Sequence, residues 1–143
     1  MLTQESLSKL FRSLILHEEF KNFPYTDSKG KITIGIGYNL TDRGMDDEWI
    51  NTQCKKDILY FYHQLTEHFG WFQRLNPDRQ IVLVDMCFMG FKRFLEFDQM
   101  IDALSKDDYF RASEEMLNSD WAKETKGRAI VLAQAMKSGN YDI

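Results

Sequence analysis

What the chain lacks narrows its chemistry first. It has no basic run or stripe, and 18 Lys and Arg against 22 Asp and Glu leave a net charge of −4. Nucleic-acid binding relies on clustered cations that displace phosphate counterions, so that class of partner is set aside. Only two cysteines occur, Cys54 and Cys87, with no CxxC pair and no histidine at a ligand spacing. Neither a metal centre nor a redox cofactor is expected, and both cysteines read as buried free thiols made in a reducing compartment. Gly35-Ile36-Gly37 lacks the third glycine and the following helix of a dinucleotide site. The N-terminal stretch has no continuous apolar core and no small-residue cleavage site, so neither a signal peptide nor a membrane span is expected. Repeats, low-complexity tracts and linkers are absent too.

What remains is apolar enough for a packed core: 43% of the 143 residues are hydrophobic and 14% aromatic. One compact domain with two lobes is expected. Leu7, Leu10, Phe11, Leu14 and Ile15 recur at helical spacing and predict a helix with one buried face. Glu18 lies one turn beyond Leu14, where it would be partly withdrawn from water. From Phe23 the period changes to two. Phe23 and Tyr25 lead into the turn cluster Asp27-Ser28-Lys29-Gly30, after which Ile32, Ile34, Ile36 and Tyr38 alternate with Thr33, Gly35 and Gly37. That pattern predicts a hairpin whose second strand runs to Tyr38, one face apolar and the other left open for something to approach.

Asn39 to Gly44 reads as a loop. A long helix is predicted over about 46–70, with Ile50, Cys54, Ile58, Phe61, Leu65 and Phe69 as its stripe. Asn76-Pro77 pairs a capping side chain with a proline at the first turn. The helix that follows, to about Met89, is nearly all apolar, and Asp85 within it should be partnered or face a cleft. Further helices are expected over about 93–104, 108–117 and 127–137.

The chemistry-bearing residues are the carboxylates near the hairpin. Taken singly, Glu18 is a solvated acid at a helix end, Asp27 a turn former and Thr33 a strand former. Together they make a pattern: an acid at a helix end, eight residues, an acid in a tight turn, five residues, then Thr33 opening T-I-G-I-G. Two carboxylates delivered by different elements to one small sheet are the minimum equipment for cutting a glycosidic bond.

This pattern closely resembles the phage-type lysozymes, the endolysins of glycoside hydrolase family 24. A second match lies in Ser119 to Ala129, which resembles the family's S-x-W-x3-T-x2-R-A segment, and Met86 to Gly90 is similar to its N-M-V-F-x-M-G helix. The resemblance implies an α+β lysozyme-like fold: a small antiparallel β lobe over 20–50, a connecting helix over about 46–70, and a helical lobe from 1–19 and 70–143. It implies Glu18 as the catalytic acid, Asp27 as the second carboxylate and Thr33 as the active-site threonine. Arg128 would pair with the acid, Trp121 would be structural, and Asn39 and Phe88 would line the sugar-binding cleft.

Three departures stand out. Glu19 sits where the family usually has Gly, so only the spacing to Asp27 prefers Glu18 to Glu19. Tyr38 replaces the usual His, and Asp85 an amide-bearing residue. The implied activity is hydrolysis of the β-1,4 bond after N-acetylmuramic acid in bacterial peptidoglycan, with inversion. The implied protein is a monomer without cofactor or metal, made in the cytoplasm and reaching the wall through a holin pore or a secretion apparatus. Two rivals share these residues: a lytic transglycosylase, and a lysozyme-like module that binds walls without cleaving them.

Overall fold

The computed structural model describes all 143 residues. The chain is α+β, as expected, with nine α-helices and one three-stranded antiparallel sheet in the order β1-β2-β3, consistent with a lysozyme-like fold. It divides into two compact units, residues 1–53 and 54–143.

The first unit begins with α1 (Gln4–Glu18), whose N-cap Thr3 accepts a hydrogen bond from the Ser6 amide. It ends where Glu19 turns the chain with φ 64°. Strand β1 (Lys21–Thr26) pairs with β2 (Ile32–Gly35), Tyr25 opposite Thr33 and Lys21 opposite Gly35. The register slips between Lys21 and Tyr25. Pro24 lies in that slip, and it has no N–H to offer the ladder.

The second strand does not run on to Tyr38, as its alternation predicted. Gly35 and Gly37 both take positive φ, +69° and +66°, and turn the chain back at Ile36-Gly37. Tyr38 and Asn39 form β3 instead, with Thr33 opposite Asn39 and Ile34 opposite Tyr38. Asn39 then caps the four-residue helix α2 (Leu40–Arg43). The apolar face is only partly sheltered: Ile32 is exposed and Ile34, Ile36 and Tyr38 are half-buried, whereas Thr33 on the other face is buried.

Thr33 is the single buried residue of this unit. The α1 stripe expected to be buried is open, with Leu7, Leu10, Phe11 and Leu14 all exposed. Polar bonds link this unit's neighbouring segments. Thr41 Oγ1 accepts the Ile32 amide at 2.7 Å, Lys31 Nζ meets Asp42 at 2.9 Å, and the Tyr38 hydroxyl donates to the Gly44 carbonyl at 2.6 Å.

Helix α3 (Asp47–His68) carries the chain across the division, which falls within it. Of its predicted stripe only Leu65 is fully buried. Cys54, expected inside, is exposed; Cys87 is buried.

The second unit holds the core. Helix α4 (Pro77–Met86) opens on the Asn76 cap and Pro77 predicted for it, and packs on α9 (Gly127–Ser138). Helix α7 (Tyr109–Leu117), capped by Asp108, packs on α6 (Asp98–Ser105) and α9. Phe72, Leu83, Met86, Phe94, Met116 and Leu132 are among its fully buried side chains.

The single helix predicted over 93–104 is two, α5 (Phe91–Phe94) and α6, broken by a turn at 95–97. Leu95 and Phe97 both pack against the core. Helical positions two apart face opposite ways, so an unbroken helix could not bury both. A short helix, α8 (Asp120–Thr125), carries Trp121, almost fully buried and edge-on to Phe97. The start of α4 also secures the end of α9. Arg79 donates to the carbonyls of Met136 and Lys137 at 2.7 and 3.1 Å and stacks over Tyr109, while Asn76 donates to Gly139.

Candidate active site

Four of the residues singled out in the sequence, Glu18, Asp27, Thr33 and Asn39, stand on the first unit. Glu18 closes α1 and is exposed, not partly withdrawn from water as its place beyond Leu14 suggested, because the α1 stripe beside it is itself uncovered. Its carboxylate nevertheless lies against the second hairpin turn. A Cβ on Gly37 would sit 2.7 Å from Glu18 Oε2, so the acid occupies room that only a glycine leaves.

Glu19, the neighbour that could compete for the role, faces elsewhere. It forms an ion pair with Lys21 at 2.7 Å, and the hydrogen bond from Lys21 holds its carboxyl below the usual carboxylate range. Spacing alone had separated the two acids; their surroundings now differ as well.

Asp27 sits at the head of the β1–β2 turn. Its Oδ1 accepts the amides of Lys29 and Lys31, both at 2.9 Å, while its own amide donates to the Lys31 carbonyl at 2.8 Å. The turn closes through Gly30, whose amide reaches the Asp27 carbonyl and whose φ is +79°. One carboxylate oxygen is thus fixed by backbone donors, which orients the other. Thr33 follows on β2, its hydroxyl 3.4 Å from the Lys31 carbonyl and still able to accept.

Asn39 is the strand partner of Thr33 and is engaged locally, its Oδ1 capping the Asp42 amide and its Nδ2 donating to the Asp42 carboxylate. Tyr38 hydrogen-bonds to Gly44 and carries the Arg43 guanidinium over its ring, 4.3 Å from the centroid.

In the second unit, Phe88 and Arg128 border one groove of about 580 Å³, walled by Ile58, Tyr62, Ile81 and Val84. Phe88 is exposed and packs edge-on against Phe61. Arg128 is forked onto Asp85: Nε and Nη2 both donate to Asp85 Oδ1, at 2.9 and 2.5 Å, and Nη2 also reaches the Asp85 carbonyl. Asp85 is thus partnered and on a groove at once. Its pairing with Arg128 went unread in the sequence; the signal for it was the acid set in an otherwise apolar helix.

No protein-family model matches the chain. The chain is similar to the pre-baseplate central spike protein Gp5 of Enterobacteria phage T4. The two are 25% identical over 148 aligned positions, which take in 82% of this chain. The likeness extends over 26% of the spike protein, so the chain spans about a quarter of that relative's length. No helix is long and apolar enough to cross a membrane.

Proposed function

We propose that the protein hydrolyses bacterial peptidoglycan at the β-1,4 bond between N-acetylmuramic acid and N-acetylglucosamine. The observation that carries this reading is the approach of the Glu18 carboxylate to Gly37, in the turn that follows the strand bearing Thr33, while Asp27 heads the turn that precedes that strand. A helix end and a hairpin turn thus supply one carboxylate near each end of the short strand that carries the buried Thr33. The likeness to a phage protein and the lysozyme-type motifs support the same reading.

In this mechanism Glu18 enters protonated and donates to the leaving oxygen while positive charge builds on the sugar ring. General acid catalysis of this kind contributes roughly a hundred- to ten-thousand-fold. The sugar chain supplies the shielding that the exposed Glu18 lacks in the free protein. Asp27, with one oxygen tied to the Lys29 and Lys31 amides, uses the other to take a proton from the attacking water. Thr33 helps hold that water. Inversion requires the carboxyl groups to stand roughly 6.5–9.5 Å apart.

The test is wall clearing with permeabilised Gram-negative cells. Glu18→Gln and Asp27→Asn should each abolish clearing with the circular dichroism unchanged, whereas Glu19→Gln should retain it. Loss of activity in Glu19→Gln alone would transfer the acid's role there. Tolerance of Asp27→Asn together with a 1,6-anhydro product would replace hydrolysis by transglycosylation.

The relative's description as a central spike protein favours a second reading, a lysozyme-like module that works inside a larger phage assembly. Intact, folded protein that leaves walls undigested while co-sedimenting with them would select the non-cleaving form of that module.

A further inference from the structure

The groove of the second unit has a peculiar charge arrangement. Its walls are apolar, from Ile58, Tyr62, Ile81, Val84 and Phe88, and the charged side chains that line it are Asp85 and Arg128. These two are spent on each other. Asp85 Oδ1 takes both Nε and Nη2 of Arg128, and the Asp85 carbonyl takes Nη2 again, so Nη1 is the guanidinium nitrogen with no partner inside the protein. A forked pair of this kind fixes a guanidinium's orientation as well as its position. The groove therefore presents an apolar wall, an aromatic ring in Phe88 and a directed N–H donor, with its two charged side chains paired.

We propose that Asp85 determines what this groove accepts: by cancelling the charge of Arg128 it makes the groove select an uncharged N-acetylated hexosamine ring over the carboxylate-bearing parts of the cell wall. The inference rests on the wall-glycan reading given above. A pyranose offers an apolar C–H face for Phe88 and an acetamido carbonyl for Nη1, and neither calls for charge. The peptide stem and lactyl group of muramic acid carry carboxylates, which an uncompensated arginine would attract. With an amide at position 85, the cation would lose its counter-charge and the preference would move toward the anionic ligand.

The experiment compares two ligands on the full chain by calorimetry and by NMR. One is chitotriose, an uncharged trimer of N-acetylglucosamine; the other is a soluble disaccharide–tetrapeptide muropeptide, which is anionic. The wild type should prefer chitotriose, with shifts at the Phe88 ring and at Arg128 Nε–H. Asp85→Asn should move the affinity ratio toward the muropeptide by roughly fivefold at low salt, as a single charge near a protein surface would. That gain should largely vanish at high salt. Asp85→Glu, which keeps the charge, should keep the wild-type ratio, and guards against reading a folding defect as a change of preference. An unchanged ratio in Asp85→Asn, or chitotriose binding that leaves Phe88 and Arg128 unperturbed, overturns the inference. Chitotriose bound in the groove of a protein that does not clear walls would instead sink the hydrolase reading and leave this one standing.

Discussion

Glu18 rests against Gly37 in a space that exists because position 37 has no side chain: a methyl group there would stand 2.7 Å from the acid's Oε2. The φ of +66° at the same residue also disfavours any other amino acid. Gly37→Ala should therefore act twice. The left-handed backbone should cost about 1 kcal/mol of stability, and the displaced carboxylate should lower wall clearing by more than tenfold. A thermal melt and a turbidity assay on one preparation separate the two effects. Full activity in the alanine variant would remove Glu18 from the acid's role.

Arg79 joins the first turn of α4 to the last carbonyls of α9. Bonds from a cation to those free carbonyls each contribute more than a neutral pair does. Arg79→Ala should lower the stability of the second unit by about 2 kcal/mol, read from the urea midpoint. Arg79→Lys, which keeps the charge without the fork, should recover part of the loss.

The two thiols should differ sharply in reactivity. Burial pushes the Cys87 thiol up to about 12, whereas Cys54 is exposed on α3. The thiolate is the reacting form, so native protein in mildly alkaline buffer should take up one equivalent of an alkylating reagent, at Cys54. Cys87 should react once denaturant is added. Rapid labelling of both in native buffer would contradict the burial of Cys87.

Residues 1–53 shelter Thr33 and little else, while the fully buried apolar side chains belong to the second unit. Regions with few buried apolar contacts open at low free-energy cost. Trypsin under native conditions should therefore cut first at sites such as Lys9, Arg12, Lys21 and Lys29, leaving a resistant fragment that contains α4 to α9. Cleavage that begins within α7 or α9 would show the reverse order of stability.

Acid should loosen the first unit through Asp42. The hydrogen bond from Lys31 lowers the carboxyl of Asp42 below its usual range. A carboxylate whose folded-state value is depressed stabilises the fold at neutral pH, and that contribution disappears as pH falls through the lowered value. The pair is exposed, so the effect is small. Asp42→Asn should flatten the acid side of the melting profile without moving the profile at mildly alkaline pH.

Much of the helical unit was legible because its signals are local. Asn76-Pro77 set the start of α4, and the apolar run after it stated burial directly. The break at 95–97 was not legible, since it follows from where Leu95 and Phe97 find the core rather than from any helix-breaking residue. The sheet shows the opposite failure. Alternation through Tyr38 looked like one long strand, but Gly35 and Gly37 turned it into a second hairpin.

Among the candidate site residues, the spacing of Glu18, Asp27 and Thr33 could be seen in the chain, and so could the turn chemistry of Asp27. The contact of Glu18 with Gly37 and the capture of Arg128 by Asp85 could not. Each joins residues distant in sequence through side-chain geometry that no local pattern encodes.

The near absence of an interior in residues 1–53 bears on how such a protein should be handled. Ellipticity at the helix band comes mostly from the larger unit, so it will keep most of its value after the carboxylates on the smaller one have lost their arrangement. Shelf life and heat tolerance judged by that signal would be overstated, and a preparation can go silent in an activity assay while most of its helix signal remains.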